Sequence, residues 1–479
     1  MKILLIQPNY DAHVIHPPLG LGYLASFLRN KKHEVSIFDG TLKNASIQNF
    51  VTAVEKFGPD LVGISVLTRG YKQAKEIIGA LKSRFKNLQI VIGGAQLSAA
   101  PEEVMKDLKA DFGVVGEGEI TLWELVEETS GRDKDDKKDR GLTKINGLVF
   151  RDDKGRIRIN QPRQLIDDLD SLPFPAWDLM PPKKYRIAPV LEPAKAFPVA
   201  PIITSRGCPY NCSFCASRII WGRRIRFRSP ENVLKEIEIL KSEFGVKEIH
   251  FADDNFTMDI KRAEKICDLM VKKKIGLPWQ CPNGVRIDRL TLLLLKKMKK
   301  AGCYALGLGI ESGNQAILKK VNKNLDLRIV PRVLDNLKKT GIESYGFFIL
   351  GLPGETRKTI EETINFALKH PFDRAWFNIF TPYPGSPAFR DWLGKRKLKD
   401  IDWSYHDCSH AVTATGDVTV KEIERLQKQA LCRFYLRPKM FLKVVSRLGY
   451  KELVTFSMSR FFGKLVGSLF CHDESKKGN

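Results

Sequence analysis

Cysteine is missing from the first 207 residues, and all nine in the chain come after that point. Six of the nine are scattered, so they give no disulfide framework in a chain of 479 residues. No apolar run approaches the roughly 18–20 residues that a membrane-spanning helix needs. The start, MKILLIQPNY, has one Lys and no small-residue cleavage site. It reads as a buried strand rather than a signal peptide, and a cytoplasmic location is expected. Acidic residues are outnumbered, 55 against 79 basic, for a formal charge of +24. That excess suits acidic partners such as nucleic acid, phosphorylated substrates or anionic membrane, or it is only a solvated, lysine-rich surface. No recognisable RNA-binding motif accompanies it, so nucleic acid is not an expected partner. With 43% hydrophobic and 28% charged residues, the composition is that of a folded soluble protein, long enough for two or three domains.

What is present first is an alternation of apolar strands and helical patterns. Lys2–Pro8, Glu34–Asp39, Leu61–Leu67, Gln89–Gly93 and Phe112–Gly116 are short, rich in Ile, Val and Leu, and bounded by Gly, Pro or Asp. Helical periodicity separates them, as in Leu19–Asn30 and Tyr71–Phe85. Near-continuous apolar strands with helical crossovers predict a parallel, doubly wound (Rossmann- or flavodoxin-like) α/β domain over residues 1–140. Ligands of such sheets bind at the carboxyl ends of the strands. The small residues there are Ser65, Thr68, Gly93, Gly94, Gly116 and Gly118, with Glu117 between the last two glycines. Glycine at these points lets backbone approach a large ligand closely.

After a charged run at 133–140 that reads as an exposed loop, a hairpin at 146–160 and a Pro-rich stretch, Leu172-Pro173-Phe174-Pro175-Ala176-Trp177-Asp178, form a connector over 141–200. A second series follows over 201–400. Its expected strands are Ile202–Ser205, Glu248–Ala252, Trp279–Val285, Tyr304–Ile310, Ser344–Leu350 and Trp376–Thr381. Six βα units make a partial (β/α)6 barrel, open relative to the eight-stranded form. Residues 401–479 read as a helical extension.

The strongest signal is Thr204-Ser205-Arg206-Gly207-Cys208-Pro209-Tyr210-Asn211-Cys212-Ser213-Phe214-Cys215, placed after the first strand of the second series. Three thiolates at C-x3-C-x2-C can hold three irons of a [4Fe–4S] cube and leave the fourth open. Zinc usually takes four ligands in two pairs, and no second pair is near. Cys267, Cys281, Cys303, Cys408, Cys432 and Cys471 lack metal spacing and read as core or surface thiols.

This loop resembles that of the radical S-adenosylmethionine (SAM) superfamily, in which the free iron takes the amino and carboxylate groups of SAM. The resemblance implies that Phe214 packs near the adenine. It further implies that Asp253-Asp254-Asn255 meets the SAM amino group, Glu311-Ser312 the ribose, and the turn at Gly351 the adenine. With the doubly wound domain in front and the motif Pro17-Pro18-Leu19-Gly20-Leu21-Gly22-Tyr23-Leu24, the chain resembles the cobalamin-binding, class B methyltransferase-like members over residues 1–400. Asp11-Ala12-His13-Val14-Ile15-His16 departs from the cobalt-ligating D-x-H-x-x-G pattern. His13 and His16 are therefore expected to be loop residues, and a domain without cofactor or with another ligand stays open.

The expected cofactors are thus a [4Fe–4S] cluster, SAM and cobalamin. The expected reaction is cleavage of SAM to a 5′-deoxyadenosyl radical, hydrogen abstraction from a small-molecule or lipid substrate, and C-methylation. Ring or carbon–carbon bond formation without methyl transfer is the alternative. An electron donor such as flavodoxin or ferredoxin is implied. Related tRNA methylthiotransferases carry further N-terminal cluster cysteines, which this chain lacks. Residues 432–470 carry basic and apolar positions at helical spacing, which predicts either peripheral membrane contact or a lid on the barrel. Asp402, Trp403, Tyr405 and His406 are further candidates for facing substrate.

Overall fold

The computed structural model describes residues 1–10, 15–130, 141–185, 194–438 and 440. The first sheet contains β1 (Lys2–Gln7), β2 (Glu34–Asp39), β3 (Leu61–Ser65), β4 (Gln89–Gly93), β5 (Phe112–Val114), β6 (Leu148–Arg151) and β7 (Ile157–Ile159). Their order is β2-β1-β3-β4-β5-β6-β7. The first five pair in parallel.

Strand alternation divides the core in two. Leu4, Ile6, Val62, Ile64, Ile90 and Ile92 pack on one face, with helices 47–57, 71–84 and 101–108. Ile3, Leu5, Leu61 and Val91 pack on the other, with helices 19–30 and 119–130. Apolar residues are needed at every position because both faces are covered, so the sequence shows continuous rather than alternating hydrophobicity. The strand order reverses between β1 and β3, the place where an open α/β sheet forms its ligand crevice. The 146–160 hairpin, set outside the first domain by the sequence, hydrogen-bonds antiparallel to β5 and extends this sheet.

The second sheet contains β8 (Val199–Ile202), β11 (Glu248–Phe251), β12 (Trp279–Val285), β13 (Cys303–Glu311), β14 (Glu343–Leu350) and β15 (Arg374–Ile379). They run parallel in the order β15-β14-β13-β12-β11-β8. Between β8 and β11 lies a separate antiparallel pair, β9 (Ser205–Arg206) and β10 (Arg226–Phe227). The expected first strand, Ile202–Ser205, is therefore corrected to Val199–Ile202. Pro201 fits inside β8 because β8 is an edge strand with a neighbour on one side only.

The Pro-rich connector is packed between the two sheets. Ala176 donates its backbone N–H to Gly22. The Trp177 indole donates to Glu236 at 3.0 Å, and the Tyr185 hydroxyl donates to Asp39 at 3.0 Å. Helix 420–435 covers β15 through Ile423, Leu426, Ala430 and Phe434, which join the barrel core. No helix of the described residues is long and apolar enough to cross a membrane. Residues 441–479, on which most of the membrane-or-lid expectation rests, and His13 lie outside the described residues.

Candidate functional site

Cys208, Cys212 and Cys215 share one loop between β9 and helix 218–221, each partly buried and free of disulfides. The loop is folded by its own backbone and pinned by the barrel. Cys215 N–H donates to the Cys212 carbonyl at 3.2 Å, Ser213 N–H donates to Val321, and Ala388 N–H donates to Ser213. Gly207 enters the loop at φ 96°, where a Cβ would lie 2.5 Å from the Arg224 carbonyl oxygen. Burial raises the Cys208 thiol and lifts Cys212 to about 11. No trio of His, Cys, Asp or Glu among the described residues is gathered around a single-ion centre. A cubane asks for something wider, one thiolate on each of three irons.

The polar residues at the strand ends divide into those already occupied and those left open. Asp253, 2% exposed, accepts from the backbone N–H and hydroxyl of Thr204 at 3.0 Å and from the Ser205 hydroxyl. It ties β11 to the start of the cysteine loop. Asp254 is exposed at the same strand end, yet desolvation first and the Asp253 charge second raise its carboxyl to about 6. Asn255 is buried and accepts from Thr257.

At the end of β13 the register with β14 shifts between Gly309 and Glu311, and Glu311 takes φ 68°. Such bulges re-aim a side chain. Here the carboxylate meets the buried Lys323 at 2.7 Å. Ser312 is fully buried and paired with the Thr363 hydroxyl at 3.1 Å. Gly351, φ 85°, follows β14, and its N–H is accepted by Glu355 at 2.8 Å. Phe214 packs with Ile317, Val321, Leu352 and Phe380, an apolar wall beside these strand ends.

On the first sheet, the Thr68 hydroxyl donates to Gln96 Oε1 at 2.9 Å, while the buried Gln96 Nε2 has no partner. Gly94 has φ 99°, and a Cβ there would lie 3.0 Å from the Val66 carbonyl. Gly116, φ 77°, faces open space and donates its N–H to Ser98. Ser65 and Gly93 end β3 and β4 in paired register, and Gly118 packs near Leu24. An orphaned amide beside glycine-lined backbone fits a broad ligand with polar edges such as a corrin. Glu117 points elsewhere: both of its oxygens are taken by Arg206, Arg226 and the Ile166 N–H.

Of the later candidates, Asp402 caps its own turn and Tyr405 is exposed. Trp403 is buried against Tyr71 of the first domain. His406 is buried beside Trp392 and Trp403, and desolvation lowers it to about 4, which keeps the ring neutral.

Several residues at the site carry no motif signal. Arg286 stacks 3.8 Å from the centre of the Tyr210 ring and donates to the Lys323 carbonyl. With Lys323 it brings two cations near Cys212, where a thiolate-ligated cluster would carry negative charge. Arg206 stands within the quoted cysteine motif, but nothing in the sequence names its partners.

Comparison with known proteins adds to this geometry. The Radical SAM superfamily model matches residues 202–367, and the B12 binding domain model matches residues 10–126. An uncharacterized methyltransferase of Pyrococcus horikoshii is 35% identical over 92% of this chain and 94% of its own length. The cytidylyl-2-hydroxyethylphosphonate methyltransferase of Streptomyces wedmorensis is 30% identical over 81% of each chain. The solved structure of TsrM, a radical SAM methyltransferase from Kitasatospora setae with cobalamin and a [4Fe–4S] cluster bound, superposes with a TM-score of 0.67 at 20% identity. It covers 89% of this chain and 84% of that one.

Proposed function

Because this chain belongs to the radical SAM superfamily, in the branch with an N-terminal B12-binding domain, we propose that it methylates an unactivated carbon of a small molecule. In this reading Cys208, Cys212 and Cys215 hold a [4Fe–4S] cluster. The shelf of Ser65, Thr68, Gly93, Gly94 and Gly116 holds cobalamin. When bound, cluster and cobalamin supply an electron for cleaving SAM to a 5′-deoxyadenosyl radical and a carrier for the methyl group.

The chain's own residues bind and orient. The single observation that carries the proposal is that the cysteine loop is tied to both halves. Thr204 and Ser205 are held by Asp253 of the barrel, and Arg206 by Glu117 and Glu119 of the first domain. Asp253 is fully engaged in that clamp, so the exposed Asp254 is the carboxylate left for the SAM amino group. Phe214 supplies an apolar wall for the adenine. Glu311, steered by Lys323, supplies an acceptor for the ribose, whereas Ser312 is already paired with Thr363. A reduced flavodoxin or ferredoxin is the class of electron donor this scheme needs.

Anaerobic reconstitution tests the assignment. Iron and sulfide should bind in the ratio of one cubane per chain, and supplied hydroxocobalamin should be retained. With dithionite, SAM should yield 5′-deoxyadenosine, and replacing the three cysteines by Ala should abolish this. S-adenosylhomocysteine formed alongside supports methyl transfer. Deoxyadenosine alone, with a substrate consumed, supports ring or carbon–carbon bond formation instead. SAM cleavage that survives loss of the three thiols overturns the proposal.

A further inference from the structure

The strand that leads into the cysteines is joined to the first domain by a closed group of four charges. β9 and β10 set Arg206 directly opposite Arg226. Like charges facing each other across a strand pair repel, and these two are almost fully removed from water, their side chains 3% and 4% exposed. Glu117 answers both. One of its oxygens lies 2.9 Å from Nη1 of each arginine, and the other lies 2.8 Å from Arg226 Nη1. Glu119 takes Arg206 Nη2 at 2.7 Å. Two guanidiniums and two carboxylates leave no net charge. The Arg206 guanidinium carbon also lies over two aromatic rings, 5.1 Å from the centre of Tyr23 and 4.6 Å from that of Trp221.

The placement of this group is what matters for the reaction. Arg206 stands two residues before Cys208, a span of at most about 7 Å of extended chain. Glu117 directly follows Gly116, which lies on the shelf at the end of the first sheet. One ion pair therefore connects the cysteine loop to the shelf with almost no intervening chain. A buried ion pair is a poor device for stability alone, since desolvating the charges offsets much of their attraction. Its best-attested use is to fix one register among several. A planar arginine fork shared between two carboxylates sets direction as well as distance.

We propose that Glu117 and Arg206, with Arg226 and Glu119, are positioning residues that set the separation between the iron–sulfur cluster and the cobalt. They act through the 207–215 loop and the Gly116 shelf and ligate neither cofactor. This rests on the reading that both cofactors bind, and it assigns to one group of four side chains the task of keeping them in transfer geometry.

The test uses the full-length chain in three variants. Glu117→Gln keeps the shape but removes the charge. Arg206→Lys keeps the charge but removes the fork, and it serves if the first variant folds poorly. Arg29→Ala removes an exposed ion pair between Arg29 and Asp178 of the connector and serves as the control. The first readout needs no cofactor. Hydrogen exchange of the 204–216 backbone should rise about ten-fold in Glu117→Gln and Arg206→Lys and stay at the wild-type rate in Arg29→Ala.

The second readout is pulsed electron paramagnetic resonance on holoenzyme containing cob(II)alamin and reduced cluster, both paramagnetic. The wild type should give one narrow distance distribution, and the two network variants a broad or split one. Variants that hold both cofactors with wild-type distance and wild-type exchange overturn the inference. A wild-type chain that binds no corrinoid sinks the functional reading instead, and the exchange measurement then decides the clamp alone.

Discussion

Asp253 accepts hydrogen bonds from both the backbone N–H and the hydroxyl of Thr204, each at 3.0 Å. The two residues lie 49 positions apart, on neighbouring parallel strands' ends. A carboxylate as buried as that of Asp253 is favourable only while such donors surround it. Arg262 backs the arrangement by donating to the Thr204 carbonyl at 2.7 Å. Asp253→Asn keeps one acceptor but turns an amide N–H₂ toward a donor. Hydrogen bonds to charged groups contribute about 1.5–3 kcal/mol, so a loss of about 2 kcal/mol is expected. Urea denaturation of the cofactor-free chain should show it, with poorer iron uptake on reconstitution.

Gly207 is the next point of strain. Its φ of 96° and the 2.5 Å approach of a hypothetical Cβ to Arg224 O leave no room for a side chain. Gly207→Ala should therefore cost roughly 1–3 kcal/mol in backbone strain and shift the first cysteine. Iron per chain after reconstitution should fall well below wild type, while retained corrinoid stays level. Equal iron in both proteins would show that the loop relaxes freely.

Much of this layout was legible from residue pattern. β1 to β5 announce themselves because strands covered on both faces need apolar side chains at successive positions, with Gly or Pro marking their ends. β8 is the instructive miss. The expected strand began after Pro201 and β8 includes it, because proline sits comfortably on an edge strand, and edge status depends on which strands pair later in the chain. The three cysteines were visible because their spacing is local. The destination of Glu117 was not: its place beside shelf glycines pointed to a ligand, while its partners Arg206 and Arg226 lie 89 and 109 residues away. The same holds for Ser312, whose hydroxyl meets Thr363 across 51 residues. Motif spacing reports which residue types are present. Only packing decides which of their polar atoms remain free.

Gly94 separates the two cofactors experimentally. Its φ of 99° and a Cβ contact of 3.0 Å with the Val66 carbonyl mean that Ala must push the β3 and β4 ends apart. That is the shelf assigned to the corrin, far in sequence from the cysteines. Gly94→Ala should lose most retained cobalamin, measured by absorbance after desalting, yet still take up iron and cleave SAM. Loss of both cofactors together would mean that the two domains fold as one unit.

Glu355 gives a pH dependence with a definite sign. It is fully buried; burial raises its carboxyl to about 8, against the opposing hydrogen bonds from the Leu352 and Gly351 N–H groups, and Oε1 has no partner. Unfolded, the group ionises near 4.5. Between these values the folded chain holds a proton that the unfolded chain has released, so folding loses stability as pH rises, by up to about 1.4 kcal/mol per unit. Below pH 4.5 both states are protonated and the term vanishes. Glu355→Gln keeps the acceptor for Gly351 and Leu352 but cannot titrate. Relative to wild type, it should gain on the order of 3 kcal/mol between pH 5 and pH 8, read from urea midpoints at the two pH values. A flat difference would mean that the two amides hold the carboxylate ionised in the fold, so that the turn after β14 is set by a buried charge rather than a neutral acid.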